Sequence, residues 1–549
     1  MSIKRIFCLV LILLFLLVSA CDGGSAENST SSGTVSQADS TVTKLSLFYD
    51  SNDSLDPYKA KSRFNRQLSS LMFDPLVKLD SAFQPQFVLA KDITFNGKEC
   101  TITLKSVSFT DGSTVTADDV VFSLEKALKS KYTVYSRQLS SIKSYKADGA
   151  DKVVITLTKA DPYFANLLDF PIIKKDSDTR QDENQIELPP IGFGRYVFDA
   201  KEKLLSVNAQ YFGGAPTVTQ IKLVNAPDDE VTKYNLEVNN VDAYYTELSD
   251  GVIPPMAGTV EKVSLNNLLF LGVNLSNRHL RKHQLRYAIA SAIDRTALCN
   301  DAYYNYATPA VGLFNSVWED AGKLQNLPET ANLQNVVANL NEIGYNSKDD
   351  EGFFTDIDKK PIKFKLIVSE ENAARLKCAK LLCEQLNKIG FKTELSVLSW
   401  EKYTEALTYG NFDLYLAEVK LNNNMDVSEL ITSNGSLSYG IPELTSTNAD
   451  SKPSDTKDNK EYTDNTDKDD EQSPSVSNSS VPLIDSAVTA FYKGELSLFD
   501  IINAFNAEMP IIPLCHRCGL TVYNSQIKIV NMSTVSDAYF GITNKLTNQ

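Results

Sequence analysis

Between residues 362 and 416 the spacing of the apolar residues switches repeatedly between two periods, and this constrains the fold more than any other feature of the chain. Ile362, Phe364, Leu366 and Val368 recur at every second position, as in a strand. Ala379, Leu382, Cys383, Leu386 and Ile389 then recur at helical spacing, and Gly390 ends the run. Phe391, Thr393, Leu395 and Val397 alternate again. A short helix is expected from Trp400 to Tyr409, closed by Gly410, before Phe412, Leu414 and Leu416 give a third strand. The order βαβαβ predicts a parallel sheet in an α/β fold. Ligands of such sheets sit beyond the carboxyl ends of the strands. Those ends are Ser369 and Glu370, Ser399 and Trp400, and Val419, Lys420, Leu421 and Asn422.

The remaining pattern fits a folded chain of several domains. At 549 residues, with 42% hydrophobic and 22% charged positions, it has enough apolar material for a large core and a cavity. The net charge of −15, without a basic block interleaved with aromatics, argues against nucleic acid as a partner. A strand over Cys100, Ile102 and Leu104 precedes a turn at Asp111-Gly112 and a helix that opens at Thr116. Asp118 and Asp119 read there as helix-start carboxylates rather than a catalytic pair. Leu285, Ala288, Ile289, Ala292 and Ile293 predict one further helix facing the core. Residues 445–480 are Ser, Thr, Asn, Asp, Lys and Pro with hardly an apolar group, and read as a disordered acidic insertion.

The chain opens like an export signal. Lys4 and Arg5 precede an apolar run over residues 6–18, shorter than the roughly 20 residues that a spanning helix needs. The run ends in VSAC at residues 18–21, which resembles a lipobox and makes Cys21 the expected lipidation site. Residues 22–40 are Gly, Ser, Thr, Asn and acid, as in a flexible tether. Six cysteines remain: Cys100, Cys299, Cys378, Cys383, Cys515 and Cys518. The C-H-R-C at residues 515–518 is compatible with a redox pair, half a metal site or a local disulfide, and reads first as structural. With only His279, His283 and His516 in the chain, no metal site and no cofactor are expected.

Six ordered motifs resemble the bacterial extracellular solute-binding proteins of family five. They are SLDPY at residues 54–58, FTDGSTVTADDVVFSLEKAL at 109–128, IGFGRYVF at 191–198, FLGVNLS at 270–276, LRYAIASAIDR at 285–295 and MPIIPL at 509–514. Arg195 stands where the family usually has Pro. The resemblance implies a two-lobed periplasmic-binding-protein-like clamp of type II with an extra subdomain. Lobe I would comprise residues 43–80, 190–264 and 501–549, the subdomain 81–189, and lobe II 265–500. It also implies a monomeric, lipid-anchored receptor on the extracytoplasmic face of a bacterial membrane, which binds a peptide or peptide-like solute and delivers it to an ABC permease.

By the same resemblance Lys61, Ser62 and Arg63 line the cleft from lobe I, and Trp400, Val419, Lys420, Leu421 and Asn422 face it from lobe II. Peptide-binding members place an acid for the ligand's amine where this chain has Asn422. That implies a solute that is anionic or lacks a free amine, in a cleft made electropositive by Lys61, Arg63 and Lys420, unless Glu418 restores the acid. A sensing receptor without transport would present the same sequence. An exported carboxylate-dependent hydrolase finds no motif in its support.

Overall fold

The computed structural model describes residues 42–249, 251–442, 483–524, 527–528, 532–543 and 547–548. The signal segment, Cys21, the tether up to residue 41 and the insertion at 445–480 lie outside the described residues.

The βαβαβ unit forms as its periods require. The strand Lys363–Ser369 pairs in parallel with Lys392–Leu398 on one side and Leu414–Lys420 on the other. The crossovers are the helices Ala373–Ile389 and Trp400–Tyr409. Side-chain oxygens of Asn372 and Ser399 cap their first turns, and the backbones of Gly390 and Gly410 turn to positive φ to stop them. This unit contributes three strands of a seven-stranded mixed sheet. The sheet continues antiparallel through Thr259–Val273, Ile511–Tyr523 and Ala243–Thr246, with Ala307–Pro309 also paired to Ile511–Tyr523. One face buries Leu269, Leu366, Leu414 and Leu514 against the helices His283–Ala292, Arg295–Tyr303 and Ala373–Ile389. The other buries Phe270, Tyr415 and Ile511 against Trp400–Tyr409, Ile484–Phe491 and Leu498–Glu508.

A four-stranded sheet in the order Lys44–Tyr49, Gln220–Asn225, Leu204–Val207, Tyr196–Asp199 carries the first lobe. The antiparallel sheet Ala90–Asn96, Glu99–Leu104, Lys152–Leu157, Ile142–Ala147 with the helix Ala117–Lys129 forms the extra subdomain, and one apolar core runs through both. At Thr116 the Asp119 carboxylate accepts from the backbone N–H and the hydroxyl, each at 2.8 Å, so this acid is spent on the helix start. The helix expected over residues 285–295 ends at Ala292, because Asp294 accepts from the Ala297 N–H and opens the next helix, Arg295–Tyr303. The C-terminal segment, expected in lobe I from residue 501, places Ile501, Phe505 and Ile511 in the second lobe's core and Tyr523, Met532 and Tyr539 in the first.

Cys515 and Cys518 lie in one extended strand, Ile511–Tyr523. Three residues of strand separate them by about 10 Å on opposite faces, too far for a disulfide or a shared metal. Both are buried free thiols, and Cys515 contacts Cys299 instead.

Arg195, which replaces the expected Pro, ties the first lobe to the C-terminal segment. Only 2% exposed, it pairs with the buried Asp537 at 3.2 Å and donates to the carbonyls of Ser70 at 3.1 Å and Tyr539 at 3.2 Å. Lys78 adds a second cation 3.3 Å from Asp537. Burial alone would raise the Asp537 carboxyl, but Lys78 and Arg195 outweigh it and hold the group below its ordinary value. Asp537→Ala should therefore destabilise the protein by about 3–5 kcal/mol near neutral pH, because it leaves a buried cation unpaired. Since the native carboxyl titrates below the unfolded one, this stabilisation is complete above the usual carboxylate range and fades as pH falls through it. Denaturant unfolding of both proteins at neutral and acid pH should show the gap narrowing in acid.

Candidate functional site

The cavity that both lobes line has a volume of about 650 Å³. Its floor and walls come from the helix Arg63–Met72, from residues 132–138 of the subdomain, from Asp169, from residues 245–249, from Lys420 at the end of the strand Leu414–Lys420 and Asn423 just after it, and from residues 534–538. Two other cavities of similar volume, 640 and 650 Å³, each lie on one side of the molecule, so closure of the lobes would not enclose them.

Asp53 fixes the first lobe's contribution. Its carboxylate accepts from the backbone N–H groups of Lys61 at 2.7 Å and Ser62 at 2.6 Å, and the Ser62 hydroxyl then accepts from the Phe64 N–H to start the helix. This turn presents Arg63, whose guanidinium lies over the rings of Phe64 and Tyr244, with Asp229 4.0 Å away. Lys61, which is exposed, lies over the Tyr132 ring with its Nζ 5.2 Å from the centroid. From the second lobe, Lys420 reaches Glu247 at 2.7 Å, so its charge is matched within the protein. Glu418 is paired too: it accepts from Arg517 at 2.8 Å and Asn267 at 2.9 Å, with Arg375 at 3.9 Å. Two of the residues expected at the site, Arg63 and Lys420, line the cavity, while Lys61 and Ser62 flank it.

The other expected residues sit elsewhere. Leu421 is buried in the second core, and Val419 packs against that core. Asn422 contributes its carbonyl, which accepts from Asn266 Nδ2 at 3.0 Å. Trp400 starts a helix behind the edge strand Lys392–Leu398, stacks on Tyr403 and is 50% exposed.

In their place the cavity has four residues outside the set expected from the sequence. Thr133 Oγ1, Gln138 Oε1, Asp169 Oδ1 and Tyr245 OH are buried atoms of the lining with no hydrogen-bond partner among the described residues. Burial pushes the Asp169 carboxyl up to about 7, against weaker opposing pulls from its own backbone N–H, Asn423 and Lys420. Burial likewise holds the Tyr245 phenol well above its ordinary value, as a protonated donor. Only Asp169 left a trace in the sequence, as a lone acid inside the apolar run LLDFPII at 167–173. Among the described residues no group of three or more His, Cys, Asp or Glu is placed to hold a metal, and no helix is long and apolar enough to cross a membrane.

Residues 82–438 match the model of the bacterial extracellular solute-binding proteins, family 5. The chain belongs to this family. It is similar to the oligopeptide-binding protein AppA of Bacillus subtilis, 24% identical over 74% of this chain and 78% of that one. It also matches the glutathione-binding protein GsiB of Shigella flexneri, 24% identical over 47% of this chain and 53% of the relative, about half of its length. Among solved structures, the unliganded open form of the periplasmic murein tripeptide-binding protein MppA superimposes with a TM-score of 0.69 at 16% identity, covering 93% of this chain and 98% of that one. A nickel ABC transporter protein of Bacillus halodurans gives 0.69 at 18% identity, covering 92% of this chain and 100% of that one. The two-lobed fold is thus that of solute-binding proteins, and the family binds rather than catalyses.

Trp318 is 1% exposed, so Trp400 is the accessible one of the two tryptophans of this family 5 protein. Acrylamide should quench Trp400 emission, and Trp400→Phe should remove most of the quenchable fraction. Because Trp400 lies outside the cavity lining, a saturating solute should leave that fraction unchanged.

Proposed function

We propose that this chain is the lipid-anchored receptor of an ABC importer, which takes a peptide or peptide-like solute between its lobes and delivers it to the permease. The observation that carries the reading is the set of unpartnered donors and acceptors, Thr133, Gln138, Asp169 and Tyr245, in a cavity lined by both lobes. A buried polar atom without a partner is costly, and a peptide backbone brings donors and acceptors that satisfy such atoms. The similar proteins AppA, GsiB and MppA bind oligopeptide, glutathione and murein tripeptide respectively, which supports the same class here. The Bacillus halodurans neighbour is instead a nickel transporter protein. Among the described residues the cavity is lined by no His or Cys, so its donor set suits a peptide better than a bare nickel ion.

Of the residues expected to touch the solute, Arg63 and Lys420 serve as lining groups, with Ser62 positioning Arg63. The lobes would follow the division around 43–80 with 190–264, 81–189 and 265–500, with the C-terminal segment shared. Cys21 would anchor a monomeric protein to the outer face of the bacterial membrane.

Two measurements test this. Native mass spectrometry of the protein after incubation with a tryptic digest of casein should show retained peptides, whereas retention of nickel alone would reject the peptide reading. Cells fed radiolabelled palmitate should label the wild-type protein and leave Cys21→Ser unlabelled, and equal labelling of both would remove the anchor.

A further inference from the structure

Among the described residues the acids that line the cavity are paired with cations, with one exception. Lys420 is spent on Glu247 at 2.7 Å, and Asp537 on Arg195 and Lys78 at 3.2 and 3.3 Å. Arg66 donates to the Tyr132 carbonyl at 3.0 Å, and Arg63 rests on two aromatic faces near Asp229. Asp169 stands apart: Asn423 Nδ2 donates to its Oδ2 at 3.2 Å, and its Oδ1 is buried in the lining without a partner. The titratable groups that face it are the buried Tyr135 phenol and the Lys420 ammonium, already paired with Glu247. A carboxylate so placed lacks a donor, and a donor carrying positive charge would satisfy it best.

We propose that Asp169 is the acceptor for a protonated amine of the solute, and that a proton competes with the solute for this carboxylate. The inference rests on the peptide reading above and narrows it to solutes with a free amine. It reverses what Asn422 implies. The acid is supplied by Asp169, a residue from another segment that lies against Asn423, instead of by the end of the strand Leu414–Lys420 itself.

The proton competition has a definite sign. Burial holds the free carboxyl at about 7, so the ionised form that accepts an ammonium is lost as the solution turns acid. A peptide α-amine loses its own proton near pH 8. Affinity for free-amine peptides should therefore crest at about pH 7.5 and fall roughly tenfold or more by about pH 5.5. A solute with no amine should show no such fall.

The probes are a tryptic digest of casein and the same digest with every amine acetylated, each incubated with the full-length mature protein at both pH values and read by native mass spectrometry. Wild type should retain the free-amine pool over the acetylated pool by roughly tenfold or more, as expected for a charge-assisted hydrogen bond. Asp169→Asn, which keeps the shape of the side chain, should lose both that preference and the acid fall. Asn423→Ala should weaken binding but keep the acid fall, which separates ligand contact from mere packing. Equal retention of the two pools by wild type, or a preference that survives in Asp169→Asn, would overturn the proposal and leave the peptide reading standing. Retention of neither pool would overturn both. Should Asp169→Asn fail to fold, the wild-type profile decides alone: an acid fall confined to the free-amine pool supports the proposal, and parallel profiles for the two pools defeat it.

Discussion

The antiparallel pairing of two long strands, Thr259–Val273 and Ile511–Tyr523, is the constraint on which the two lobes depend. Their register runs from Thr259 opposite Tyr523 to Gly272 opposite Ile511. At one end Val263, Leu265 and Tyr523 are buried in the first lobe's core, and at the other Leu269, Leu271, Val273, Ile512 and Leu514 are buried in the second's. A continuous hydrogen-bonded ribbon thus enters both cores. Its ladder shifts register twice, between Ser264 and Asn267 and again between Leu269 and Phe270, the first of them close to the transition from one core to the other. Bulges of this kind bend a strand without ending its pairing, so the ribbon is most easily flexed where the lobes meet. Close packing fixes the far end. At Gly272 an added Cβ would come within 1.9 Å of the Tyr415 ring, which crosses the strand there.

The bulged region also carries the buried charges. Asn267, the first residue beyond the irregularity, donates to Glu418, and Arg517 opposite it pairs with the same carboxylate at 2.8 Å. At the end of the neighbouring strand Leu414–Lys420, Lys420 reaches out to meet Glu247, which follows the strand Ala243–Thr246. Removing one partner of the buried Arg517–Glu418 pair would leave an uncompensated charge, which typically costs about 3–5 kcal/mol, whereas the half-exposed Lys420–Glu247 pair contributes far less. The Arg517–Glu418 pair therefore specifies how the strands leave the sheet at the cleft. Arg195 performs the corresponding task on the first lobe, where it holds residues 537–540 in place and so sets the wall formed by residues 534–538.

What the sequence revealed follows the range of the interactions concerned. The βαβαβ unit was legible because period-two and period-3.6 patterns are local, and so was the Thr116 capping box, whose partners are three residues apart. The break at Ile293 was also local. Asp294 carries the signal of a new helix start, but the unbroken apolar spacing around it reads as one helix. The cavity was not legible in this way. Thr133, Gln138, Asp169 and Tyr245 come from segments far apart in sequence, and nothing in a polar side chain's neighbours along the chain says that its partner will be missing. Trp400 shows the converse. A strand end predicts a position near the cleft, but the order of strands puts Lys392–Leu398 at the sheet edge, two places from Leu414–Lys420, and Trp400 falls outside the lining.

The same unpartnered atoms give a physical reason for closure to depend on solute. A buried polar atom left unsatisfied costs about 1–3 kcal/mol, and drawing the lobes together over Thr133, Gln138, Asp169 and Tyr245 without a ligand would compensate none of them. A solute that supplies their partners removes that cost only when both walls reach it. Its interaction free energy therefore differs between open and closed arrangements, which is what a ligand requires in order to shift such an equilibrium. The matched pairs around the cavity, Lys420 with Glu247 and Arg195 with Asp537, lack this property because they are satisfied before any solute arrives. On the proposed peptide reading, selectivity in this cleft would reside in the few groups that the fold leaves unmatched, with the rest of its polar lining holding them in position.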